Sequence, residues 1–171
     1  PCKVRDPGGS GRRGTARLGW IAGQHGDVMR IIGTEIEPQL DWIALTDAIA
    51  AGHELPRAQI ADSFLYRGGD TLLTRSAWID GLGLAVKAAT VFPGNVEAGR
   101  AMVNGTVNLL DDVTGELQAL VDFHLVTRWK TAGDSLLSAR RLARRDARRV
   151  LVIGAGAVAA RMVAAYRAMI P

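Results

Sequence analysis

Cysteine is almost missing from the chain: Cys2 stands alone among 171 residues. One thiol makes neither a disulfide framework nor a thiolate metal site, which suits a reducing compartment, so a cytoplasmic protein is expected. Histidine is nearly as scarce. His25, His53 and His124 are scattered without metal-ligand spacing, and no metal is expected. No apolar run approaches ~18 residues, and the first 28 residues hold no apolar stretch of the signal-peptide kind, so neither a membrane span nor a membrane partner is expected. Aromatics amount to 5%, and none accompanies the basic cluster Arg140, Arg141, Arg144, Arg145, Arg148 and Arg149. Single-stranded nucleic acid would need such stacking platforms, so nucleic acid is not an expected partner. Cations at a helix C-terminus complement its dipole, and Asp146 interrupts the run, which makes a solvated helix end the simpler reading.

What is present is enough apolar material to fold. At 48% hydrophobic, the chain can bury a core of one to one and a half domains. Most of the net charge of +4 falls in residues 1–28, where Lys3, Arg5, Arg12, Arg13 and Arg17 face only Asp6 and Asp27. With Pro7-Gly-Gly-Ser-Gly11, that stretch reads as a flexible, non-native leader before a native start at Met29.

Beyond it the periodicity alternates between types. Pro38 at a first turn, Trp42, Leu45 and Ile49 on one face and Gly52 at the end predict a helix over about 38–51. Arg57 to Phe64 and Thr71 to Thr74 flank an Arg67-Gly-Gly-Asp70 turn as a hairpin, and Gly83 to Phe92 is a longer strand ended by Pro93-Gly-Asn95. Val103 to Leu109 and Leu117 to Val121 form a second hairpin. Between them Asp111 and Asp112 offer either a carboxylate pair or ordinary Asx-turn chemistry, and the Thr114-Gly115 that follows favours the turn. A helix from about His124 to Arg144 carries Leu125, Trp129, Ala132, Leu136, Ala139 and Ala143 as one stripe.

Two places bear chemistry. In the strand 83–92, alternation sets Lys87 on a face with Gly83, Ala85, Ala89 and Val91. Small neighbours leave room for a ligand, and a lysine there suits carboxylate binding or proton transfer; the alternative is a solvated sheet face. Further on, Val150-Leu-Val-Ile153 reads as a buried parallel strand, and Gly154, Gly156 and Ala159 fill G-x-G-x-x-G/A before a helix from Ala157 to Met169. The backbone of Gly154, Ala155, Gly156, Ala157 and Val158 would then face the phosphates of a dinucleotide from a helix N-terminus. The alternative is an ordinary strand-turn-helix with glycines at its bend. A whole βαβ unit and the acidic residue expected about 20 positions on do not fit before Pro171, so the cofactor site is expected to be incomplete.

Gly81-Leu-Gly-Leu-Ala-Val-Lys-Ala-Ala-Thr-Val-Phe-Pro-Gly-Asn95, Val107 to Asp122, Thr127-Arg-Trp-Lys-Thr-Ala132 and Val152-Ile-Gly-Ala-Gly156 follow in an order and spacing that resemble the ornithine cyclodeaminase/μ-crystallin family. The resemblance covers about 29–171. It implies an α/β protein: an α+β substrate-binding and dimerisation domain with a mixed sheet over 29–147, then 148–171 as the first β-α of a truncated Rossmann NAD(P)-binding domain. It also implies a homodimer and a small amino or imino acid substrate.

By the same resemblance Lys87 is the family's substrate and catalytic lysine, and Arg57 one of two arginines that hold the substrate carboxylate. Arg57 as a surface residue of an edge strand is the alternative. The second arginine is replaced by Lys130, which can instead make an i, i+4 pair with Asp134. Arg128 lies roughly 200° around the helix from Lys130 and cannot stand in for it. The implied activity is hydride transfer at the α-carbon, in ornithine cyclodeamination to proline and ammonia. The alternatives are ketimine or pyrroline-2-carboxylate reduction, alanine dehydrogenation, or a non-catalytic ligand-binding or dimerisation module. The 171 residues alone are expected to be inactive.

Overall fold

The computed structural model describes residues 21–22 and 28–170. Most of the expected leader, 1–20 and 23–27, lies outside the described residues. The strands are β1 (Ile21–Ala22), β2 (Val28–Ile32), β3 (Gln59–Arg67), β4 (Asp70–Ile79), β5 (Gly83–Val91), β6 (Val103–Leu110) and β7 (Leu117–Asp122). The helices are α1 (Trp42–Gly52), α2 (Phe123–Leu142) and α3 (Ala157–Arg167). One sheet takes the order β1-β2-β7-β6-β5-β4-β3. It is mixed, because β2 pairs parallel with β7 while the other neighbours are antiparallel.

Both hairpins form, with β3 and β4 longer than alternation alone indicated. Arg67 and Asp70 close their turn as a salt bridge of 3.0 Å, with Gly68 at φ 58°. Asp111 serves its own turn after β6, and Asp112 ties that turn to the neighbouring β4–β5 turn. Asp111 accepts from the backbone N–H of Val113 and Thr114 at 2.9 and 2.8 Å, and Asp112 from Trp78 Nε1 at 2.7 Å and Gly81 N at 2.8 Å. The backbone N–H groups of Thr114 and then Val113, joined by the Thr114 hydroxyl and the Gln118 amide, hold the Asp111 pKa below the usual carboxylate value.

The first helix corrects the expected boundary. Pro38 lies in a 3-10 segment, Thr34–Gln39, and α1 starts at Trp42 because Asp41 caps it, accepting from Ala44 N at 2.8 Å. Asp122 caps α2 likewise, accepting from Leu125 N at 2.6 Å. The stripe Leu125, Trp129, Ala132 and Leu136 is buried, whereas Ala139 is only partly covered and Ala143 is exposed beyond the helix end. Two glycines allow the close packing. A Cβ on Gly105 would stand 2.2 Å from Ala88 O and 2.8 Å from Phe123 Cδ2, and one on Gly133 would stand 2.8 Å from Leu45 Cδ2. The first lets α2 begin against the sheet; the second lets α1 lie on α2.

The expected strand at Val150 to Ile153 does not form. Those residues are in no regular element, and Leu151 and Ile153 are 85% and 91% exposed. A strand in a parallel sheet needs neighbours to accept its N–H groups and cover both faces, and among the described residues none pairs with it. The helix after it does form. Ala165 of α3 is fully buried with Ala132 and Leu136 of α2, flanked by Trp42, Met162 and Met169.

Candidate functional site

Cross-strand partners share a face of a sheet. The pairings Asp62↔Arg75, Arg75↔Lys87, Lys87↔Val107, Val107↔Val121 and Val121↔Ile32 therefore form one row. Lys87 is partly buried on the face that carries buried Ala89, Val107 and Ala119, the side against which Phe123 of α2 rests. Its own strand supplies the small neighbours that alternation indicated. Its lateral neighbour does not fit that picture: Arg75 stands directly opposite. Two like charges in register repel, and Asp62 relieves them by accepting from Arg75 Nε at 2.6 Å and Nη2 at 2.5 Å. That bidentate bond, helped by the fields of Arg75 and then Lys87, holds the Asp62 carboxyl below its ordinary value and Arg75 above its own.

Arg57 and Lys130, 73 positions apart in sequence, line one cavity of about 730 Å³. Its wall is made by the end of α1, the turn into β3, Ile79 of β4 and one side of α2, with Leu55, Pro56 and Leu137 as apolar lining. Lys130 also pairs with Asp134, as the i, i+4 alternative had it, and Asp134 lines the same wall. The pair forms, and it borders the cavity that Arg57 also lines. His53, which terminates α1, joins the lining; nothing in its spacing marked it beforehand. Lys87 is not part of this wall. It sits two rows along each strand pair from the row that ends at Ile79↔Gly83, about 13 Å away at strand rise. The structure brings Arg57 and Lys130 together and leaves Lys87 apart from them on the sheet face.

Arg128 turns elsewhere, as the helical angle requires. It lies 3.7 Å from Glu37, whose Oε1 accepts from Trp129 Nε1 at 2.9 Å and pairs with Arg161 of α3 at 2.9 Å. Glu37 thereby ties the 3-10 segment to both α2 and α3. No pattern in the sequence pointed to it, because the partners lie 92 and 124 positions away.

At the glycine turn, Gly154 has φ 117°, a conformation that favours glycine. Gly156 is the N-cap of α3 and offers no side-chain acceptor, so the first-turn N–H groups of Ala157 and Val158 keep no capping partner. Nothing stands within 4 Å of a Cβ built on either glycine. Uncapped donors beside open space fit an anionic group such as a pyrophosphate. Among the described residues no three His, Cys, Asp or Glu side chains gather as a metal site, and no helix is long and apolar enough to cross a membrane.

The model of the ornithine cyclodeaminase/mu-crystallin family matches residues 77–171, more than half of the chain. Among curated proteins, the chain is 49% identical over 133 residues to a Delta(1)-pyrroline-2-carboxylate reductase of Paracoccus denitrificans, covering 78% of the chain and 42% of that protein. Among solved structures, it resembles a Delta(1)-pyrroline-2-carboxylate reductase of Thermococcus litoralis in complex with NADH and L-proline, with TM-score 0.70 and 20% identity over 80% of the chain and 45% of that structure. A probable ornithine cyclodeaminase from Bordetella pertussis gives TM-score 0.71 and 25% identity, over 83% of the chain and 45% of that structure. The chain spans less than half the length of these relatives.

Proposed function

The chain belongs to the ornithine cyclodeaminase/mu-crystallin family, and on that premise we propose that it is the substrate-binding part of an NAD(P)-dependent reductase of cyclic ketimines of the pyrroline-2-carboxylate kind. The observation that carries this reading is the joint lining of one cavity by Arg57 and Lys130; the 49% identity with the Paracoccus reductase supports it. In this reading residues 29–147 are the substrate domain, and 148–171 open the dinucleotide domain, with the backbone of Gly154 to Val158 at the cofactor phosphates.

Reduction adds a hydride to the carbon of C=N and a proton to its nitrogen. NAD(P)H supplies the hydride when bound. Arg57 fixes the substrate carboxylate through its planar fork, and Lys130 adds a point charge beside it. Lys87, on the sheet face towards α2, holds the proton to be delivered to the ring nitrogen, its flexible four-carbon stem reaching from β5 towards the cavity. A second copy of the chain would cover the opposite sheet face, where Leu65, Leu72 and Trp78 are exposed.

The test is steady-state turnover by a protein that carries this chain with a complete dinucleotide domain. Reduction of pyrroline-2-carboxylate by NADH or NADPH is expected, and Lys87→Ala should lower kcat/KM by at least ~100-fold, the loss of a charge-assisted contact together with proton transfer. Release of ammonia and proline from ornithine, without ketimine reduction, would overturn the reductase reading in favour of cyclodeamination, the reading supported by the likeness to the Bordetella protein. The 171 residues alone are expected to show no turnover.

A further inference from the structure

We infer that Asp134 is a positioning residue for Lys130: it sets the direction in which the ammonium meets a substrate carboxylate, doing for lysine what planarity does for arginine. The inference rests on the proposed carboxylate role of the Arg57–Lys130 cavity.

Three observations carry it. Lys130 Nζ and the Asp134 carboxylate are in contact, and both residues line the cavity beside Arg57. The pair therefore stands at the rim of the cavity, open to a ligand that enters it. Next, its order is the weaker one for supporting a helix. An acidic residue four positions before a lysine supports a helix better than the reverse order, and here the lysine comes first. Helical side chains lean towards the N-terminus, so Asp134 reaches back over the turn that holds Lys130. Finally, the Lys130 side chain is 65% exposed; a four-carbon stem in that setting has many rotamers and no intrinsic direction. One of its three N–H donors given to Asp134 fixes the stem and leaves two for a ligand carboxylate. A guanidinium would need no such partner, because its donors already lie in a rigid fork.

The experiment is NMR titration of the 171-residue chain with L-proline, in the parent and in Asp134→Ala, Asp134→Glu, Lys130→Met, Lys130→Arg and the double variant Lys130→Arg/Asp134→Ala. Asp134→Ala should weaken proline binding roughly fivefold, the effect of one charge-assisted contact held or released, and Asp134→Glu should restore most of it. In the Lys130→Arg background the same alanine should change affinity by less than about twofold, because the fork orients itself. Thermal midpoints within the same range for all variants keep the comparison free of unfolding. Equal losses in both backgrounds, or no loss on Asp134→Ala while Lys130→Met still abolishes binding, would overturn the positioning role and leave the cavity reading standing. Parent-like binding by Lys130→Met, or no saturable response in the parent, would overturn the cavity reading and this inference with it.

Discussion

In β5 the residues from Gly83 to Val91 are paired on one side by β4 and on the other by β6, and Ala89 is buried to 4%. Val150-Leu-Val-Ile153, at least as apolar, runs unpaired with Leu151 and Ile153 almost fully in solvent. Directly after it, α3 is well formed and docks Ala165 against α2. A strand exists only in relation to its neighbours, since every second hydrogen-bonding group must be met by another segment. A helix meets those groups internally and asks its surroundings for one apolar contact face. Residues 143–170 thus keep the element that can stand on a borrowed surface and lose the one that cannot.

The strongest way to break this contrast is to remove the borrowed surface. Leu136 is fully buried at the α2–α3 contact, so Leu136→Ala should cost about 2–5 kcal/mol by lost burial and cavity formation. Hydrogen exchange should then show α3 amides losing protection while β4 and β5 keep theirs; equal loss in both would mean that the two regions are one cooperative unit. A smaller effect is expected from Glu37→Gln, which removes the charge facing Arg161 and Arg128. The loss should be about 1–2 kcal/mol in chemical denaturation, again with α3 more affected than the sheet.

Acid sharpens the contrast from the other side. Asp62 and Asp111, both in the sheet region, have native pKa values below their unfolded ones. A depressed carboxylate contributes stability that is present above its unfolded pKa and is lost as pH falls through the native one. The sheet should therefore weaken below about pH 4, and Asp62→Asn/Asp111→Asn should flatten the stability profile in that range when followed by circular dichroism. The smallest effect belongs to the unpaired run. With Leu151 exposed, Leu151→Ser should shift stability by less than about 0.5 kcal/mol; a loss above about 1 kcal/mol would mean that the run packs in solution.

The hairpins, α2 and the Asp111 turn were legible because their signals are local: alternation, a glycine at positive φ, an Asx residue ahead of Thr-Gly. α1 was misplaced by four residues because Pro38 suits a 3-10 turn as well as a helical first turn, and only the Asp41 cap decides. For Val150 to Ile153, composition spoke for a strand and said nothing of the partners it needs. The site divides in the same way. Lys87's face followed from alternation, and the Lys130–Asp134 pair from helical spacing. The meeting of Arg57 with Lys130, the opposition of Arg75 to Lys87 and the junction at Glu37 are products of sheet order and helix packing, which no single stretch encodes.

The rings of Trp42 and Trp129 stack 3.9 Å apart at 15°, and the indole N–H of Trp129 is bound to Glu37. Two indoles that close couple their electronic transitions, so the native fold should give a bisignate exciton band in circular dichroism that vanishes when either ring moves away. Because the stack joins α1 to α2, and Glu37 joins it to Arg161 of α3, that band is a built-in optical gauge of helix docking. It can be read without a label and independently of the backbone signal of the sheet.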